Sequence, residues 1–389
     1  MNSFAFHNPT RIIFGAGTLD KLGEQLAAFG TKTALLVYGG GSIKQSGLYD
    51  RVLQQLEQAG VRTVELAGIE PNPRVSTVRK GIELCRAHDV DFILAVGGGS
   101  VLDAAKAVAV GVPYEGDVWD FLIRKAQIQS ALPLGTVLTL SATGSEMNGN
   151  SVITNWEENL KKSFGSIHAY PKFSILDPTL TYSVPANQTV NGIVDTMSHV
   201  FEQYFSLTTD TPLQERLCES ILQTVIENGE KALAQPDNYE ARANLMLCST
   251  YALNGGMISV GMQQDWATHM IEHEVSAIYD IAHAAGLSVL FPNWMTYVHG
   301  ERLDRFVQYA VRVWNIDPSG KSDEEVARAG IQATRDYFTR IGAPSRLSEL
   351  NIGDDQLERM AEETVGFGPV GSFRKLQAGD VLEILRSSL

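Results

Sequence analysis

The chain has 389 residues, 44% of them hydrophobic, enough to bury two cores rather than one. Its 31 basic and 45 acidic residues give a formal charge of −14, which argues against nucleic acid or an anionic membrane surface as a partner. No apolar run approaches the ~20 residues of a membrane span. The opening MNSFAFHNPTRIIFG has no basic n-region followed by an apolar stretch. Cys85, Cys218 and Cys248 form no CxxC, so a cytoplasmic location is expected.

Residues 1–185 alternate β-branched runs with amphipathic ones. Residues 33–38 (TALLVY) predict a buried strand ending in Gly39-Gly40-Gly41-Ser42, followed by a helix over 48–59. A second strand is expected over 62–66, then the turn Glu70-Pro71-Asn72-Pro73 and a helix over 75–88. Residues 90–96 (VDFILAV) predict a third strand, running into Gly97-Gly98-Gly99-Ser100 and a helix over 101–110. The next strand, 136–140, is placed just after Gly135 and meets Ser141-Ala142-Thr143-Gly144-Ser145-Glu146. Residues 151–167 read as a hairpin and 173–176 as a last strand. This rhythm predicts an α/β domain with a Rossmann-like, doubly wound parallel sheet over 1–185. From 186 to 389 helical periodicity dominates, predicting an all-α second domain.

Both GGGS turns follow a strand and open a helix. Glycine lets backbone approach a phosphate, and a helix N-terminus presents free N–H groups to it. Neither turn is GxGxxG, and Phe14-Gly15-Ala16-Gly17 reads as a plain turn. Two such turns on one sheet, with ATGSE on a third strand end, predict a nucleotide site. NAD sites usually carry an acid at a strand end for the ribose 2′-hydroxyl. After Val37-Tyr38 there is none, only small residues and then Lys44, so NADP(H) is expected.

Three of the eight histidines, His269, His273 and His283, fall in residues 266–283 (WATHMIEHEVSAIYDIAH). Asp195 and His199 stand four apart in 191–204, on one face of a predicted helix. One carboxylate and several imidazoles suit zinc or ferrous iron better than calcium or magnesium. HExxH is not met, since His273-Glu274 is followed by Val275-Ser276-Ala277. His269 and His273 share a helix face, and spacing alone favours that pair. On one unbroken helix His269 and His283 would lie ~21 Å apart. They share an ion only if the chain turns back, and Asp280 is a plausible N-cap for a second helix.

The motifs PTRIIFG (9–15), YGGGSIKQSG (38–47), GIEPNP (68–73), LAVGGGSVLDAAK (94–106), TLSATGSE (139–146), GIVDTMSHVFEQY (192–204) and QDWATHMIEHE (264–274) run nearly end to end. With them the chain resembles the iron-containing (group III) alcohol dehydrogenases, in the NADPH-dependent butanol dehydrogenase or broad-range aldehyde reductase branch. The resemblance implies the two-domain architecture of dehydroquinate synthase-like proteins. It implies one divalent metal, Fe2+ or Zn2+, on Asp195, His199, His269 and His283, with His273 beside nicotinamide and substrate as a catalytic proton relay. It also implies cofactor contacts from Gly39, Gly40, Ser42, Asn72, Gly98, Ser100, Asp103, Thr139 and Lys161; Gly41, Gly97 and Gly99 complete the two turns. Glu272 stands where a small residue is common, and Ala284 where many members have glycine. Glu272 is expected on the solvated outer face of its helix.

The expected reaction is hydride transfer between NADP(H) and short- to medium-chain aldehydes or primary alcohols. The alternatives are a sugar-phosphate cyclase of the dehydroquinate synthase kind and a non-catalytic NADP-binding redox sensor. The first needs basic residues for a phosphate-bearing substrate, and neither 191–204 nor 266–283 contains Lys or Arg. The second leaves a complete metal set unused. A homodimer is expected, with the β-like opening segment as a pairing edge.

Overall fold

The structure, a computed structural model, describes residues 1–389. Eight strands form: β1 (Arg11–Phe14), β2 (Thr33–Tyr38), β3 (Arg62–Leu66), β4 (Phe92–Gly97), β5 (Leu134–Leu138), β6 (Asn150–Asn155), β7 (Leu160–Gly165) and β8 (Phe173–Leu176). Six make a parallel sheet in the order β1-β8-β5-β4-β2-β3, and β6 pairs antiparallel with β7. The chain divides into two compact units. One comprises residues 7–185 with 235–255; the other comprises 1–6, 186–234 and 256–389.

The sheet is doubly wound because its central strands are apolar on both faces. Every residue of β2 and β4 is buried. Leu35, Val37, Ile93 and Ala95 point to one side, where they pack with Val78, Ile82, Leu102 and Ala105 from the helices Val75–Ala87 and Gly99–Gly111. The alternate residues Ala34, Leu36, Leu94 and Val96 point to the other, against Leu22, Leu26, Val52 and Leu56. Period-two alternation between two apolar layers explains why these strands read as unbroken hydrophobic runs.

Several boundaries differ from expectation by one or two residues, two of them at glycines. β5 starts at Leu134 rather than after Gly135, and Gly135 lies inside the strand because the Phe173 ring covers it. A Cβ there would approach Phe173 Cζ to 2.4 Å. The helix expected over 101–110 starts two residues earlier, at Gly99, with Gly98 as its N-cap.

The β6–β7 hairpin is fastened to the Gly99–Gly111 helix by buried polar groups. Lys106 Nζ donates to Ser145 Oγ (2.8 Å), Asn148 Oδ1 (3.1 Å) and the Asn150 carbonyl (2.8 Å). Asp103 accepts from Ser145 Oγ (2.7 Å) and from Val152 N–H (2.9 Å). Burial pulls the Lys106 ammonium down to about 8, against the opposing pull of the Asp103 and Glu146 carboxylates. The helix Tyr239–Ala252 joins this unit through Thr250, whose hydroxyl donates to Glu146 Oε1 at 2.6 Å.

The other unit is helical. Its helix Ala186–Tyr204 is buried along most of its length. Helix Pro212–Ala234 packs against it, as does helix His283–Val298. No helix in the structure is long and apolar enough to cross a membrane.

Lys106→Met strands three acceptors in a dry site and should cost about 3 kcal/mol. A fall in the urea midpoint with unchanged m-value is the expected result; a midpoint within error of wild type would deny the fastening role.

Candidate metal and nucleotide sites

The helical unit gathers the predicted ligands from three helices. Asp195 and His199 lie one turn apart on Ala186–Tyr204, both buried, with Asp195 Oδ1 3.8 Å from His199 Nε2. His269 lies in the first turn of Ala267–Tyr279, its ring centroid 5.0 Å from that of His199. Ligand atoms of Asp195, His199 and His269 all fall within 4.8 Å of one another.

The approach of His283 depends on how that helix ends. Asp280 takes the left-handed conformation (φ 50°) and its N–H bonds to the Ser276 carbonyl, closing the helix. A short side chain makes this conformation accessible. Asp280 therefore caps the end of the first helix. The N-cap of the next is Ala282, and His283 is its first residue. The reversal brings His283 Nε2 to 3.9 Å from Asp195 Oδ1 and its ring to 5.3 Å from that of His269. His273 sits one turn beyond His269, half-buried, 5.5 Å from the His283 ring. Proximity thus groups His269, rather than the 269/273 pair, with Asp195 and His199.

Two further carboxylates orient the histidines. Glu202, fully buried, accepts from Trp266 N–H (2.7 Å) and His269 N–H (3.1 Å) and meets His269 Nδ1 at 2.7 Å. It caps a helix whose N-cap residue, Trp266, offers no side-chain acceptor. Burial pushes Glu202 up to about 8, against the lowering effect of those two backbone N–H groups. Glu272, also 0% exposed, takes the Ser276 hydroxyl and contacts His283 Nδ1. The expectation of a solvated outer position for Glu272 is corrected. Three residues from His269 on a helix, it faces inward with it.

This donor set fits a divalent cation. Burial pulls His199 down to about 4 against the opposing effect of Asp195, so its imidazole is neutral at neutral pH and has a lone pair to offer. Carboxylates at Nδ1 of His269 and His283 set the tautomer that presents Nε2. Asp195, Glu202 and Glu272 are buried together, and their own segments supply no Lys or Arg to balance them.

In the other unit, β5, β4 and β2 are neighbours, and their carboxyl ends carry Thr139, Gly97-Gly98 and Gly39 respectively. Ligands of open α/β sheets bind beyond such ends. Thr139 N–H donates to the Gly97 carbonyl at 3.1 Å. Gly99 and Ser100 begin a helix, so their N–H groups have no partner within it. The two turns use glycine differently. A Cβ on Gly99 would meet Thr143 Cγ2 at 2.3 Å and one on Gly97 would meet Val101 Cβ at 2.7 Å, whereas one on Gly40 or Gly41 would meet nothing within 4 Å. Asn72 is buried in the 70–73 turn with φ 52°, and Lys161 is buried on β7. Asp103 accepts from Ser145 Oγ and Val152 N–H.

Residues 9–178 match the family described as "Iron-containing alcohol dehydrogenase", and 189–389 match "Fe-containing alcohol dehydrogenase family, C-terminal". The chain belongs to the iron-containing alcohol dehydrogenase family. It is 54% identical over its full length, and the full length of the relative, to "Probable NADH-dependent butanol dehydrogenase 1" of Bacillus subtilis. It is 43% identical, over 93% of each chain, to "NADPH-dependent aldehyde reductase YqhD" of Escherichia coli. Among solved structures it is similar to NADH-dependent butanol dehydrogenase A from Thermotoga maritima, with a TM-score of 0.96 and 41% identity, covering 100% of this chain and 99% of that one.

In this iron-containing alcohol dehydrogenase two carboxylates, Glu202 and Glu65, escaped notice in the sequence and a third was misplaced. Glu202 is the third acidic-or-imidazole position on the Asp195 face, at i+7, and that spacing was available. Glu272 was noticed and misplaced. Glu65 lies on β3, where it accepts from Tyr38 Oη (2.5 Å) and Tyr49 Oη (2.9 Å), with Lys44 Nζ 4.5 Å from the Tyr49 ring centroid. Only the pairing of β2 with β3 puts an acid beside the first glycine turn.

Asp195→Asn and His199→Ala should each lower the bound metal of purified protein from about one ion per chain to a tenth or less, measured by mass spectrometry of digested samples. Retention of a full equivalent in both would mean the ion sits elsewhere.

Proposed function

We propose that this chain is a metal-dependent aldehyde reductase and alcohol dehydrogenase. It would interconvert short- to medium-chain aldehydes and primary alcohols with NADP(H), the first unit taking the cofactor and the second the metal. The single observation that carries the reading is the convergence of Asp195, His199, His269 and His283, with Nδ1 of two of the histidines set by buried carboxylates. When bound, the metal supplies a Lewis acid for the carbonyl oxygen and the nicotinamide supplies the hydride. Asp195 and the three imidazoles hold a position where negative charge develops. Glu202 and Glu272 keep the rings of His269 and His283 aimed. His273, half-buried beside His283, exchanges a proton with the reacting oxygen, directly or through water.

The NADP(H) preference draws on the absence of an acid at the end of β2 and on the Lys44 ammonium beside the open first turn. NAD(H) is the competing reading. It draws on Glu65, one strand over, and on the relatives named as NADH-dependent. A homodimer in the cytoplasm completes the proposal: β1 is an edge strand of the sheet, and all three cysteines are buried free thiols.

Enzyme of measured metal content should consume NADPH in the presence of butanal and lose that activity when stripped with a chelator. Undiminished turnover after stripping would end the metal-dependent reading. The kcat/KM for NADPH should exceed that for NADH by tenfold or more, and Lys44→Ala should erase most of that ratio; a ratio near one for wild type removes the NADP(H) preference. His273→Ala should lower kcat by about 100-fold with the metal retained and the pH profile changed. An unaltered profile would take the proton-relay role from His273.

A further inference from the structure

We propose that Glu272 is a positioning residue that locks the metal ligand His283, and that Gly286 is its required counterpart. The proposal rests on the four-ligand reading above. Glu272 is fully buried on helix Ala267–Tyr279, and its two carboxylate oxygens are divided between two partners. Oε1 takes the hydroxyl of Ser276, one turn along the same helix. Oε2 contacts His283 Nδ1, across the Asp280 reversal. Ser276 therefore fixes the carboxylate, and the carboxylate fixes the imidazole. With Nδ1–H donated to Glu272, His283 has its lone pair on Nε2, the atom 3.9 Å from Asp195 Oδ1.

The room for this arrangement comes from Gly286, three residues after His283 and on the same face of its helix. A Cβ at Gly286 would lie 2.7 Å from Glu272 Cγ and 2.9 Å from Glu272 Oε1. Neither partner of that contact can easily yield. Glu272 is anchored at both oxygens, and Gly286 is inside a buried stretch of helix. The glutamate and the glycine are thus one device. His269 meets Glu202 through Nδ1 in the same way, so two of the three imidazoles have a buried carboxyl group behind them. An acceptor fixed at Nδ1 aims Nε2 and favours retention of the cation.

Ser276 also separates this role from a second one. Ligand atoms of Glu272, His273 and His283 lie within 4.8 Å of one another, so the same carboxylate could serve a cation of its own. Its engagement with Ser276 and with His283 Nδ1 favours the positioning role.

The test is cobalt binding to full-length apoprotein, read by chelator competition and by the visible d–d bands of the bound ion. Wild type should take up one equivalent. Glu272→Gln keeps the shape, removes the charge and should weaken binding by 10- to 100-fold with altered bands. Gly286→Ala should weaken binding similarly. In a Glu272→Ala background, which empties the crowded space, Gly286→Ala should change affinity by less than twofold. Metal-free unfolding curves of all variants separate loss of fold from loss of positioning. Glu272→Gln binding within twofold of wild type, with unchanged bands, would overturn the proposal, as would full additivity of the two substitutions. Two equivalents per wild-type chain would overturn it in favour of a separate Glu272–His273–His283 site. Failure of wild type to bind cobalt would strike the four-ligand reading itself.

Discussion

The candidate metal centre depends on one backbone reversal. Asp280 in the left-handed region ends a helix that, if continued, would carry His283 far from His269. Trp266, also left-handed, starts that helix. The thirteen residues between these two positions make a rod with His269 in its first turn and His283 just beyond its end. The helix places His269 beside Asp195 and His199, but not His283. The bend brings His283 back to Asp195 and His269.

The same region gathers three buried acidic side chains, Asp195, Glu202 and Glu272, with no basic residue in their own segments. Elsewhere in the helical unit two buried acids are paired with arginines. Arg305 Nη2 meets Glu215 Oε1 at 2.8 Å, and Arg312 Nη1 meets Glu219 Oε1 at 3.2 Å. The contrast sets the His-rich cluster apart from structural ion pairs. There arginine guanidinium groups meet the acids; here the donor set suits a cation from outside the chain.

Much of the fold was legible because its signals are local. TALLVY is buried along its whole length, and its six residues were bounded correctly by a glycine run on one side. The parallel sheet followed from alternation of runs and periods, and the hairpin expected over 151–167 forms as β6 and β7. Gly135 misled because a glycine inside a strand looks like a turn until the ring covering it is known. Asp280 misled because a short acid serves either end of a helix, and its φ decides which. Glu272 and Glu65 misled for a common reason. Each acts on a residue from another element, so its neighbours along the chain do not reveal its partner.

The helix Tyr239–Ala252 packs with the sheet-bearing unit although about fifty residues of the other unit separate the two in sequence. Thr250 reaches Glu146, and the carbonyls of Ser249 and Leu253 lie within 3 Å of where a side chain on Gly144 would begin. A chain emerging from the ribosome therefore cannot finish its first folding unit when residue 185 appears. It must wait for the helix that closes the Gly144 corner, while the first helices of the other unit are already exposed. Such a separation raises contact order and slows the search. It leaves half-assembled apolar surface as the natural target for a chaperone.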